Sequence, residues 1–216
     1  MVKIVRYLTQ RNFTPMENKK NLYLVLHYVG AVSTAENNAS YFHTIYRGAS
    51  AHYFVDPKSI WQIVEEGDAS WSVGTKTYYN SCRNNNCIAI EMCCKKDKVG
   101  NWMIDPATIE NTIELAADIC RRNSIPLSRV VRHWDTTKKR CPEPWVRVEQ
   151  SWTDFKKELE ERIMEKPTEP TEEEKIEAIK KFYNIDGNTI QFVKFYKHGG
   201  AFLDKLYVKT PEGQKA

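Results

Sequence analysis

The chain has 216 residues, room for one catalytic-sized domain and a small appendage on ordinary domain sizes. Hydrophobic residues at 41% and charged residues at 28% supply a real core and exclude a disordered polymer. The formal net charge of +4 is spread along the chain, which excludes the charge asymmetry of a nucleic-acid arm or a polybasic anchor. No window approaches the roughly 18 consecutive apolar residues that a membrane-spanning helix needs, so no membrane insertion is expected. The start, MVKIVRYLTQRNF, lacks the apolar stretch of a secretory signal, and synthesis in the cytoplasm without a cleaved leader is the expectation.

In chain order, the run from Asn21 to Tyr28, NLYLVLHY, is apolar and β-prone with one histidine inside it, which predicts a buried central strand ending at Gly30. Thr34, with Ala39, Phe42, Ile45 and Tyr46 at helical spacing, predicts a helix reaching Arg47. His52 to Val55 and Ser59 to Val64 read as short strands joined at Asp56-Pro57. The segment Cys87 to Met92, CIAIEM, is a further apolar strand that embeds one acid. Asp105-Pro106 opens a helix over Ala107 to Arg122, with apolar residues at Ile109, Ile113, Ala116, Ala117 and Cys120 and two arginines at its C-terminus. Val130-Val131 is a short strand, and Ser151 to Met164 is a helix facing Trp152, Phe155, Leu159 and Ile163 inward. This alternation predicts an α/β domain over residues 1–165, a central mixed sheet flanked by helices.

Residues 166–174, KPTEPTEEE, read as a linker, since Pro and Glu without large apolar residues cannot bury a core. Residues 175–216 are expected to be a small α+β appendage: a helix over Lys175 to Tyr183, then a hairpin of Thr189 to Tyr196 and Ala201 to Lys209 turning at His198-Gly199-Gly200. So short a module is expected to dock or to associate with a second copy, giving a homo-oligomer. Six cysteines in this length are not a disulfide framework, and reduced thiols are the default. Cys82 and Cys87 flank a short polar loop, SCRNNNC, that can close a bridge in an oxidising setting.

The chemistry-bearing residues begin with His27, near the C-terminal end of its strand, where α/β folds expose reactive side chains. A lone histidine there is ordinarily a hydrogen-bonded core residue. His133 and Cys141, however, stand eight positions apart in one segment, VVRHWDTTKKRCPEPW, read as a loop. Two borderline-soft donors in one loop plus a strand histidine compose the three-ligand set of a catalytic zinc (Zn2+) site with one position open to water.

Four patches, LYLVLHYVG, ASAHYFVD, CIAIEMC and VRHWDTTKKRCPEPW, resemble in order and spacing the zinc-dependent N-acetylmuramoyl-L-alanine amidases. The likeness is to the bacteriophage and prophage endolysin type, whose fold is shared with peptidoglycan recognition proteins, and it spans Tyr23 to Trp145. It implies His27, His133 and Cys141 as metal ligands and Glu91 and Lys139 as catalytic residues. It further implies peptidoglycan as the partner and the cell wall as the place of action; wall binding by the C-terminal module stands beside docking and dimerisation as an alternative from its small size. Glu91, between Ile90 and Met92, would be desolvated and raised in pKa, fit to shuttle a proton; the alternative is an acid on a solvent face. Lys139 would donate to an oxyanion; the alternative is a solvated run with Lys138 and Arg140. His52 matches a family position next to the site and reads as supporting rather than ligating. Ala51 stands where some members have a catalytic tyrosine, and Trp71-Ser72-Val73-Gly74 departs from a Trp-His-x-Gly pattern. Trp71, Trp102, Trp134 and Tyr78 either line a groove or belong to the core. Against the amidase reading stand a non-catalytic peptidoglycan-binding protein on the same scaffold and a thiol peptidase using Cys141.

Overall fold

The computed structural model describes residues 2–165, 171–194 and 198–214, which fall into two compact units, Met1–Met164 and Glu165–Ala216. The first unit runs β1 (Ile4–Arg6), β2 (Phe13–Thr14), β3 (Tyr23–Val32), α1 (Ala35–His43), β4 (Tyr53–Val55), β5 (Ile60–Gln62) and β6 (Ala69–Ser70). It continues with β7 (Cys87–Lys96), β8 (Trp102–Ile104), α2 (Pro106–Asn123), β9 (Val130–Arg132), α3 (His133–Thr137), α4 (Glu143–Arg147) and α5 (Glu149–Met164). The main sheet has the order β1-β5-β4-β7-β3-β9, with β8 pairing the end of β7. It is mixed: β4, β7, β3 and β9 are parallel neighbours, whereas β4–β5 and β7–β8 are antiparallel. β2 and β6 form a separate two-stranded ribbon.

The central strands are apolar on both faces because both faces are covered. Leu24, Leu26, Ile88, Ile90 and Met92 pack with Ile113, Leu115, Ala116 and Ile119 of α2 and with Phe155 and Leu159 of α5. Ala89, Cys93 and Phe54 point the other way and meet Ala35 and Ala39 of α1. Trp145, Trp152 and Phe155 stack with centroids 4.6–5.5 Å apart and fasten α4 to α5. Each such fully buried side chain is worth about 1.5–3 kcal/mol of apolar burial.

The helices begin where capping chemistry dictates. The Asp105 carboxylate accepts the Ala107 N–H, Pro106 occupies the first turn of α2, and Ser124 closes it in the left-handed conformation with φ 53°. The Thr34 hydroxyl accepts the Asn37 N–H at 3.1 Å, and the buried Asp56 carboxylate accepts that of Ala35 at 2.8 Å. Its other oxygen takes the Lys58 and Ser59 N–H groups at 2.8 Å each, so one side chain holds both the β4–β5 turn and the start of α1.

Three expectations for this unit need correction. The first strand does not stop at Gly30: it runs to Val32 across a register break, with Gly30 at φ +69°, a conformation that lets the strand bulge. The helix after Thr34 stops at His43, short of Arg47. His133 does not sit in a loop; it is the first residue of α3.

The second unit departs further. Of the expected linker, 166–170 lie outside the described residues, while Glu172, Glu173 and Glu174 already form the first turn of α6 (Glu172–Tyr183), capped by a reciprocal Thr171–Glu174 box. The expected hairpin is two helices, α7 (Gly187–Lys194) and α8 (Gly199–Tyr207), so the appendage is helical rather than α+β. Ala178, Ile179, Ile190, Leu203 and Tyr207 form its core. Gly199 is not a hairpin turn: it meets the backbone of Val193 so closely that a Cβ would lie 2.0 Å from its carbonyl oxygen. Among the described residues no helix is long and apolar enough to cross a membrane.

Substituting Asp56→Ala strips the acceptor from three backbone N–H groups and should lower the unfolding free energy by about 3 kcal/mol. Urea denaturation measures this, and a loss below about 1 kcal/mol would contradict the capping role given to Asp56.

Candidate active site

The site lies on the sheet face that carries α1, towards the C-terminal ends of the parallel strands, where open α/β sheets place their ligands. Parallel pairing sets His27 of β3 directly beside Glu91 of β7, and Leu26 beside Arg132 of β9. His133 is therefore the next residue along from the pairing partner of Leu26 and arrives next to His27, with ring centroids 4.6 Å apart. On the far side of Glu91 the register brings Phe54 of β4. Phe54, Glu91 and His27 thus form one row across three neighbouring strands, which His133 extends from the end of the fourth.

Cys141 reaches this row through local turns. α3 ends at Lys138, which adopts the left-handed conformation with φ 63°. The Cys141 N–H then donates to the Lys139 carbonyl at 2.7 Å, and the Trp134 N–H donates back to the Cys141 carbonyl at 2.9 Å. That stitch sets the Cys141 Sγ 3.7 Å from His27 Nδ1. One ligand atom from each of His27, His133 and Cys141 lies within 4.8 Å of the others, and all three residues are buried. They are the one such cluster of metal-capable side chains among the described residues.

Burial governs the electrostatics. It holds His27 well below the ordinary imidazole pKa, with His133 and Lys139 adding to the effect, and it pushes His133 down to about 4 with help from Lys139. Both rings are therefore neutral near pH 7, the form that offers a lone pair. Burial also raises the Cys141 thiol, reinforced by Glu91, so this sulfur is not a primed nucleophile by itself. The Glu91 carboxyl is pushed up to about 8 by burial, opposed by Lys139. Its Oε1 stands 4.0 Å from His27 Nδ1, and 21% of the side chain still opens to the cleft.

Several polar atoms here have no hydrogen-bond partner despite being buried: His27 Nε2, His133 Nδ1 and Glu91 Oε2. Buried polar atoms are ordinarily paired. Two neutral imidazoles and a thiol gathered with unpartnered nitrogens fit a divalent cation of borderline softness.

A cleft of about 510 Å³ opens beside the row, lined by His27, Glu91, Lys139, Tyr41, Phe42 and Trp71 among others. Lys139 is exposed at its rim. Of the four aromatics expected near a groove, Trp71 lines the cleft; Trp102 packs on Tyr28, Lys138 sits over Trp134, and Arg83 over Tyr78. His52 is fully buried, accepts the Ala89 N–H at Nδ1, and turns Nε2 to the Asp68 carbonyl at 3.1 Å, a supporting place. Sequence reasoning missed the wall supplied by α1, where Asn37 and Asn38 line the cleft; the tandem polar pair in a helix facing the sheet was the available signal. It also missed Arg132, whose buried guanidinium binds Asp135, the Trp145 carbonyl and Glu149, and so ties α3 to α4 and α5.

Residues 17–144 match the family model described as N-acetylmuramoyl-L-alanine amidase. The chain belongs to that family. Among its amidase relatives, CwlL of Bacillus licheniformis is 34% identical over 159 residues, covering 68% of this chain and 43% of the relative. BlyA of Bacillus subtilis (strain 168), also named an amidase, is 30% identical over 168 residues, covering 68% and 45%. The chain thus spans less than half the length of these curated relatives. The catalytic domain of XlyA superposes with a TM-score of 0.61 at 23% identity, covering 73% of this chain and 99% of that domain. PlyL gives 0.62 at 22%, covering 74% and 96%. These likenesses establish the amidase fold, a mixed sheet flanked by helices.

Because Arg132 holds the strand end from which His133 emerges, Arg132→Met should lower stability by about 2 kcal/mol, discounted from a fully buried pair because Glu149 is largely exposed. An unchanged urea midpoint would show that the guanidinium network does not fix this segment.

Proposed function

We propose that the chain is a peptidoglycan hydrolase of the endolysin type that cleaves the amide between N-acetylmuramic acid and L-alanine, with zinc held by His27, His133 and Cys141. The observation that carries the reading is the convergence of two buried, neutral imidazoles and a buried thiol on one point beside a cleft, in a chain of the amidase family. One thiolate with two neutral imidazoles suits zinc and leaves a position open. Bound there, zinc would supply Lewis acidity, polarising an amide carbonyl and lowering the pKa of water.

The protein's own residues supply the rest. Glu91 is the proton carrier: its raised pKa lets Oε2, free of other partners, take a proton from attacking water and return it to the departing amine near neutral pH. Lys139, on the rim and electrostatically felt by both histidines and Glu91, donates to the oxygen that gains negative charge. Phe54, Phe42 and Trp71 give the cleft apolar surface against which a sugar or peptide can settle. Ala51 is buried and supplies no acid, so Glu91 carries the proton alone. Made in a host cytoplasm, such an enzyme would act after reaching the wall.

Digestion of purified cell walls with end-group analysis tests the proposal. New alanine amines without new reducing sugars are expected; reducing ends without amines would make the protein a glycosidase and overturn it. A chelator should abolish amine release and added zinc restore it. Cys141→Ala should lose both bound zinc and turnover, whereas Glu91→Gln should keep its zinc and lose at least about 100-fold in rate, the usual scale for a general acid–base residue. Wild-type rates in Glu91→Gln would remove Glu91 from the chemistry.

A further inference from the structure

Outside the active site the molecule holds a second pair of reactive side chains. Cys82 and Cys87 are both fully buried, in one cluster with Val25 and Val73. The five-bond separation in sequence is closed by a prefolded turn over Asn84–Asn86: the Arg83 N–H donates to Asn86 Oδ1 at 2.7 Å, and the Asn86 N–H donates to the Arg83 carbonyl at 3.1 Å. The same turn holds the cleft wall, because Asn84 Oδ1 accepts the Ser72 N–H at 3.1 Å and the Val73 N–H at 2.9 Å.

We propose that Cys82 and Cys87 are a site of reversible disulfide formation that locks the Trp71–Ser72 wall of the cleft to the start of β7. The chemistry is thiol–disulfide exchange with a low-molecular-weight disulfide, RSSR. Cys87 is the attacking sulfur: the neighbouring Cys82 thiol, with the Lys19 ammonium and the Ser72 hydroxyl, outweighs burial and holds it below the usual thiol pKa. Its proton leaves to solvent, its sulfur bonds to one sulfur of RSSR, and RS⁻ departs. Cys82 then loses its proton, attacks the Cys87 sulfur of the mixed disulfide and expels the second RS⁻. Two thiols become one S–S bond, and the two electrons leave on two RSH. The occasion for this exchange, departure from a reducing cytoplasm to the wall, rests on the proposed function; the chemistry of the pair does not.

The test is to equilibrate the full chain in reduced and oxidised glutathione buffers, both from the native state and by refolding from denaturant, so that burial is no kinetic block. Trapping with an alkylating agent then counts thiols by intact mass and maps them by peptide. Free thiols should fall from six to four in the oxidised buffers, with the missing pair mapped to Cys82 and Cys87. The melting temperature should rise by about 5 °C, as for a short closed loop in a domain of this size. Dithiothreitol should reverse both, and Cys87→Ser should show neither. Six free thiols in every buffer, or a bridge between other cysteines, overturns the proposal. Neither outcome depends on turnover, so a failure here and a failure of the amidase reading are read separately.

Discussion

The register between β3 and β7 is the constraint on which the rest depends. In a parallel ladder a slip of one residue would turn His27 and Glu91 to opposite faces and disperse the row they share with Phe54 and His133. The register is held by the residues either side of them. Leu24, Leu26, Ile88 and Ile90 reach the α2 and α5 face, Val25 and Ala89 the other, all without exposure, so any slip would exchange fitted apolar side chains between two differently shaped cores. Packing that carries no chemistry thereby places the groups that do.

The row has a cost that the two faces divide. On the α2–α5 side the strands bury chiefly apolar groups, the ion-paired Arg132 apart, and that side supplies the cohesion. On the α1 side the sheet buries two histidines, a thiol and a carboxyl, several of them with unpartnered atoms. Neutrality is how the fold tolerates them: burial moves the imidazoles down and the carboxyl up, each towards its uncharged form. The same shifts ready the imidazoles to give lone pairs and the carboxyl to exchange a proton near neutral pH, so what lowers the electrostatic cost of burial also prepares the site.

How much of this was legible in the sequence follows from the length scale of each signal. The central strands were readable because burial on both faces makes them continuous apolar runs, and His27 and Glu91 stood out as single interruptions. α2 was readable from Asp105, Pro106 and its two terminal arginines. β1, β2 and β6 were not: they have three or two residues and exist only through partners far along the chain, Ile4 with Ile60 and Phe13 with Ser70. The C-terminal helices were misread because Ile190, Phe192, Val193 and Leu206, Tyr207, Val208 are β-prone types. Their spacing, Ile190 to Val193 and Leu203 to Tyr207, is that of one helix face, and tertiary packing in a three-helix core decides in its favour. Within the site, the residue types were legible while the wall from α1 and the Arg132 network were not, since neither shows a motif.

The source of the third donor follows from the shape of a sheet. Neighbouring strands offer side chains in a row, so His27 and His133 approach one point from nearly the same level, with Glu91 beside them. A donor that closes a three-dimensional set must come from off the row, which a returning loop can provide and a further strand cannot. Cys141 does this through two backbone hydrogen bonds, one within its loop to Lys139 and one from Trp134 in the first turn of α3. On the proposed reading, the separation of eight residues between His133 and Cys141 is the length of one helical turn, a left-handed reversal and the return. Lengthening or shortening it would move the sulfur while leaving the sheet row intact. The catalytic set is accordingly two parts of different rigidity: a row fixed by sheet register, and a sulfur fixed by a local turn whose neighbour, Lys139, remains exposed to meet whatever enters the cleft.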